Sequence, residues 1–120
     1  PYGFPNHMIE HSMSAISDVP HGAGLSVIMP AWMQWYQSQR PAQFKRFAKE
    51  IFGLDKAEDG ILALKAWFDK IGTPTRLEQL GIDDKTLSEI VDNAVKTAIR
   101  AKVEKTYTKE AIEAIFALAK

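Results

Sequence analysis

Apolar side chains recur three and four positions apart along most of this chain, the spacing that places them on one face of a helix. Met8, Ile9, Met13 and Ile16 make the first such face, over about His7 to Ile16, with Asn6 positioned to cap it. Asp18-Val19-Pro20-His21-Gly22-Ala23-Gly24 reads as a turn-rich break, because a proline and two glycines cluster there. From Leu25 to about Gln39 the residues again suit a helix, which Pro30 is expected to start, kink or divide. Pro41 fits a first helical turn, and Phe44, Phe47, Ala48, Ile51 and Phe52 follow at helical spacing until Gly53. A further helix is expected over roughly Lys56 to Ile71, with Ile61, Leu64, Trp67, Phe68 and Ile71 on one stripe and Gly72 at its end. Arg76 to Leu80 offers one short turn stopped by Gly81. Asp83 or Asp84 can cap the next helix, whose apolar face is Leu87, Ile90, Val91, Ala94, Val95 and Ala98. Thr108 caps a last helix that turns Ala111, Ile112, Ile115, Phe116 and Leu118 inward, with Glu110 in its first turn.

No segment alternates strictly between apolar and polar residues, and no β-branched run stands between turn signals. The expected fold is all-α, an irregular bundle of six or seven helices. No internal repeat is visible, and no linker divides the chain, so its 120 residues are expected to form one core.

Composition narrows the partners. Fifteen basic and 15 acidic side chains give a formal net charge of +0, which leaves no basic field for nucleic acid or a membrane surface. No apolar run approaches the ~20 residues of a membrane span, and no leader pattern is present. With Cys 0, neither a disulfide framework nor a thiolate metal site can form, which fits a reducing, cytoplasmic setting. The opening Pro1-Tyr2-Gly3-Phe4-Pro5-Asn6 lacks a methionine and reads as an extended lead-in, compatible with processing or with a piece of a longer protein.

All three histidines lie near one end. His7 and His11 are four apart and share a helix face, and a turn can bring His21 back over the helix end. Neutral imidazoles suit iron, zinc and similar divalent metals, although surface histidine pairs are common without one. His-Met-Ile-Glu-His is not the metalloprotease motif, since glutamate precedes the second histidine. Glu10 is expected on the solvent side and Asp18 in the turn. Gly22-Ala23-Gly24 is not a dinucleotide fingerprint, because position 27 is valine and a helix precedes it; close approach of backbone to a neighbour is the better explanation. Met29, Trp32, Met33, Trp35 and Tyr36 suit core packing and an interface better than a pocket. Lys102, Lys105 and Lys109 form a solvated face, and no serine sits in a nucleophile elbow.

Taken together, His7-Met8-Ile9-Glu10-His11-Ser12-Met13-Ser14-Ala15 and Asp18-Val19-Pro20-His21-Gly22-Ala23-Gly24-Leu25 resemble the iron-containing alcohol dehydrogenase family. Ser26-Val27-Ile28-Met29-Pro30-Ala31-Trp32-Met33 is similar to the next helix of its butanol-dehydrogenase-like members, and agreement is looser beyond Tyr36. The resemblance implies an irregular orthogonal helical bundle in which His7 and His21 are metal ligands. His11 would stand beside the metal on the nicotinamide side as a catalytic positioning or proton-transfer group. Family members also carry a dinucleotide-binding domain with a Gly-Gly-Gly-Ser loop, and an Asp-x-x-x-His helix that gives two further ligands. Neither motif occurs in this chain.

The resemblance therefore implies that residues 1–120 are the C-terminal helical part of the metal-binding domain, with the N-terminal dinucleotide-binding domain absent. The parent would interconvert alcohols and aldehydes or ketones, using Fe2+ or Zn2+ and NAD(P). The isolated chain is expected to be inactive. Apolar contacts exposed by the missing domain leave a homo-oligomer open. A second reading is a stand-alone helical module kept for interaction or weak metal binding. A third, a helical domain with three chance surface histidines, expects His7 and His21 to lie far apart.

Overall fold

The computed structural model describes residues 5–120. Residues 1–4 of the expected lead-in lie outside the described residues. Six α-helices follow one another: α1 (Pro5–Ser17), α2 (His21–Tyr36), α3 (Pro41–Phe52), α4 (Ala57–Lys70), α5 (Asp84–Arg100) and α6 (Lys109–Leu118). Short 3-10 segments cover Gln37–Gln39 and Leu77–Leu80, and no strand occurs among the described residues.

Helix α2 organises the bundle. It packs against α1, α4 and α6, while α1 also packs on α5, α5 on α6, and α3 on α4. The shortest dimension is 19 Å against 38 and 32 Å, room for about two layers of helices at roughly 10 Å each. One apolar cluster joins Met8, Ile9 and Met13 of α1 to Val27 and Ile28 of α2, Ile90 and Ala94 of α5, and Ile112, Ile115 and Phe116 of α6. A second, smaller one ties α3 and α4 to α2 through Met33, Phe44 and Ile61. Met29, Trp32 and Tyr36 pack against that second cluster. Trp32 also donates its Nε1–H to the Tyr107 hydroxyl at 2.8 Å, so these half-buried aromatics pack against the core. Burial pushes the Tyr107 phenol above its usual 10.0, against the opposing pull of that Trp32 bond.

Several sequence expectations need correction. α1 begins at Pro5, so Pro5 and Asn6 are helical and Asn6 is not a cap. Proline fits a first turn, where its missing N–H has no partner to lose. α2 begins at His21, placing Gly22-Ala23-Gly24 inside its first turn, and only residues 18–20 break the helices. Pro30 neither starts nor divides α2. It is buried, and packing on several sides holds a helix that proline alone would weaken by ~3 kcal/mol. Ile51, Trp67, Ile71 and Leu118 were expected to face inward, yet they are 64%, 49%, 55% and 42% exposed. The small size of the second cluster explains the first three: it covers Phe44 and Ile61 but does not reach round the outer side of α3 and α4.

Helix ends match their local signals. Gly53 and Gly81 close their helices with φ of 68° and 73°, a left-handed conformation that glycine adopts without steric penalty. The Ala111 amide donates to Thr108 Oγ1 at 3.1 Å, and the Thr86 amide to Asp83 Oδ1 at 2.8 Å. Thr108→Ala is expected to lower stability by about 1 kcal/mol, read as a shift in urea midpoint with unchanged slope. The Thr86 bond holds the Asp83 carboxyl below its ordinary 3.8. A lowered folded pKa gives stability that is present above the ordinary value and is lost as pH falls through the lower one. Asp83→Asn keeps a cap but cannot titrate, so its stability difference from the native chain should change only below about pH 4.

Candidate metal centre

The centre is built by α1, the turn after it and the first residue of α2. Four-residue spacing sets His7 and His11 one turn apart on α1, with ring centroids 6.4 Å from each other. The chain then reverses at Asp18, whose φ of 55° lies in the left-handed region that aspartate tolerates. Asp18 therefore shapes the turn, as expected from its place in the sequence. The reversal is anchored by the buried Val19 and by Ser14, whose Oγ lies 2.9 Å from the Val19 carbonyl oxygen. His21 is thereby returned over α1, its ring 5.3 Å from that of His7 and 5.4 Å from that of His11. Surface histidines scattered by chance would not converge in this way.

Glu10 overturns an expectation. It is 0% exposed, not on the solvent side. Its Oε1 contacts His21 Nδ1, and Ser14 Oγ donates to its Oε2 at 2.5 Å. Space for it comes from Gly24, where an added Cβ would stand 2.3 Å from Glu10 Oε2 and 2.6 Å from its Cγ. The close approach expected at the glycine pair is thus real at Gly24, but a side chain makes it; Gly22 has no such neighbour. The signal available in the sequence was glutamate four residues before a serine and a glycine three after a histidine, and neither reveals that the two segments meet.

The donor set suits a divalent ion. Imidazole nitrogen and carboxylate oxygen are ordinary ligands of iron and zinc. One donor atom from each of Glu10, His11 and His21 lies within 4.8 Å of the other two. Two ligands ~2.2 Å from one ion can stand at most about 4.4 Å apart, so the spacing of these three donors approaches that of atoms around a shared ion. His11 and His21 are exposed, which leaves the cluster open on the side away from the core.

Residues 4–119 match the model of the Fe-containing alcohol dehydrogenase family, C-terminal. "Probable NADH-dependent butanol dehydrogenase 1" of Bacillus subtilis is 36% identical over 97 residues, covering 74% of this chain and 25% of that protein. NADH-dependent butanol dehydrogenase A of Clostridium acetobutylicum is 28% identical over 100 residues, 77% of this chain and 26% of its own length. Among solved structures, NADH-dependent butanol dehydrogenase A from Thermotoga maritima superposes with a TM-score of 0.84 at 37% identity. That likeness covers 97% of this chain and 32% of the other. Aldehyde reductase YqhD from E. coli gives the same TM-score at 17% identity, a likeness of fold. The chain spans about a quarter of the length of the curated relatives it matches. With a family match over residues 4–119 and a shared helical fold at 37% identity, this chain belongs to the Fe-containing alcohol dehydrogenases and corresponds to their C-terminal region.

Proposed function

We propose that residues 1–120 supply the C-terminal half of the metal centre of an alcohol dehydrogenase, whose dinucleotide-binding domain and remaining ligands lie outside this chain. The observation that carries this reading is the convergence of the His7, His11 and His21 rings at 5.3–6.4 Å. His7 and His21 would hold a divalent ion, Fe2+ or Zn2+. An ion bound there would supply Lewis-acid stabilisation of an alcohol oxygen, the chemistry that hydride exchange with NAD(P) calls for. His7 sits on α1 with the main core behind it, so its ring is presented from a rigid support. His11, one turn further and exposed, lies at the open edge of the cluster, where it can orient substrate or exchange a proton with water. The butanol dehydrogenase and aldehyde reductase names of the relatives favour small alcohols and aldehydes as substrates. No described helix is long and apolar enough to cross a membrane.

Two measurements test this reading. The 120-residue chain should give no alcohol-dependent reduction of NAD or NADP above a metal-only blank; turnover above that blank refutes the half-centre. Calorimetric titration with Zn2+ should show micromolar or weaker binding that His7→Ala and His21→Ala each abolish. Binding unaffected by either substitution would place the ion elsewhere.

A further inference from the structure

Glu10 is the only charged side chain that is buried among the described residues. Burial of a carboxylate is strongly unfavourable without partners that replace water, so a wholly enclosed one has a local reason to be there. Its two oxygens are both engaged, Oε1 with His21 Nδ1 and Oε2 with the Ser14 hydroxyl. Ser14 Oγ also lies 2.9 Å from the Val19 carbonyl oxygen, and Gly24 gives up its Cβ so that the carboxylate can lie against α2. Two helices and the turn between them are thus fitted around one carboxyl group.

We propose that Glu10 is a positioning residue for His21: it accepts the Nδ1–H, fixes that tautomer and the ring's orientation, and leaves Nε2 as the nitrogen that meets an ion. Carboxylates that take the second N–H of a ligating histidine are a recurrent way of fixing its orientation and raising its basicity. Direct ligation by Glu10 is the competing role, because its oxygen lies within 4.8 Å of donors on His11 and His21. That role would require Oε1 to leave His21, or Oε2 to leave Ser14, inside a space closed by Gly24. The inference rests on His21 being a ligand, as proposed above, but its hold on the imidazole exists without metal.

The test uses the metal-free chain at about pH 8.5, roughly two pH units above the ordinary imidazole pKa, and reads ring tautomers by long-range proton–nitrogen correlation. His21 should carry its proton on Nδ1 in the native chain and in Glu10→Gln, whose amide oxygen still accepts. In Glu10→Met, which fills similar space without an acceptor, the proton should move to Nε2. Gly24→Ala should push the carboxylate aside and give the Glu10→Met pattern with the glutamate still present. A native chain with His21 protonated on Nε2 overturns the proposal even if every variant fails to fold. Zn2+ affinity should fall roughly 10–100-fold in Glu10→Met and by less in Glu10→Gln. Equal losses in both, with the His21 tautomer unchanged, would make Glu10 a ligand and also overturn it. Absence of Zn2+ binding by the native chain would sink the metal-centre reading, while the tautomer result would still decide whether Glu10 governs His21.

Discussion

Phe116→Ala is expected to lower stability by about 3–5 kcal/mol, the usual loss when a buried phenylalanine leaves a cavity. Phe116 is 1% exposed and sits on α6 among Ile112, Ile115 and the residues of α2 and α5 that α6 packs against. Domains of this kind have only about 5–15 kcal/mol in total, so the variant should be partly unfolded near physiological temperature. Leu118 lies two residues further on the same helix but is 42% exposed, and Leu118→Ala should change stability by no more than about 0.5 kcal/mol. Urea denaturation of the pair measures the contrast. Similar midpoints for the two variants would mean that α6 is rotated from the orientation described.

Gly60→Ala should be the second large effect, and against propensity. Alanine favours an α-helix over glycine by about 1 kcal/mol, so an isolated α4 would gain. Here the new Cβ would stand 2.4 Å from Ala48 Cβ and 2.7 Å from Ala48 Cα, which is a collision with backbone rather than with a flexible side-chain end. Helices α3 and α4 must separate, uncovering Phe44 and Ile61, at a net cost of about 1–3 kcal/mol. Ala48→Gly should rescue part of the loss, since it removes one of the two contacts, and a double-mutant cycle would show the coupling. A Gly60→Ala chain as stable as the native one would exclude so close a crossing.

These two sites show what could be read from the chain. Helix ends were legible because their signals are local: Asp83 and Thr108 bond amides three residues on, and Gly53 and Gly81 need only their own backbone freedom. The face of α5 was legible because both Ile90 and Ala94 meet the main core, so periodicity and burial agree. Periodicity failed for Trp67 and Ile71, since it identifies an apolar stripe without saying what, if anything, covers it. Pro30 misled because packing along α2 outweighs a local preference. In the candidate centre, the histidine spacing announced the convergence, whereas burial of Glu10 depends on Gly24, 14 positions away on another helix. Tertiary fit of that sort has no local sequence signature.

The pairing of α1 with α5 and of α2 with α6 bears on the order in which the domain is assembled. During synthesis α1, its turn and α2 emerge before α5 and α6, and contacts between neighbours in sequence form before distant ones. Ser14, Val19, Glu10 and His21 all lie within that early segment, so their hydrogen-bonded link can form locally. Met8, Ile9 and Met13, on the same α1, share a cluster with Ile90 and Ala94 and must wait for α5. Within this region the imidazole cluster is therefore organised before its core closes behind it, and the apolar face of α1 stays uncovered until α5 has been synthesised.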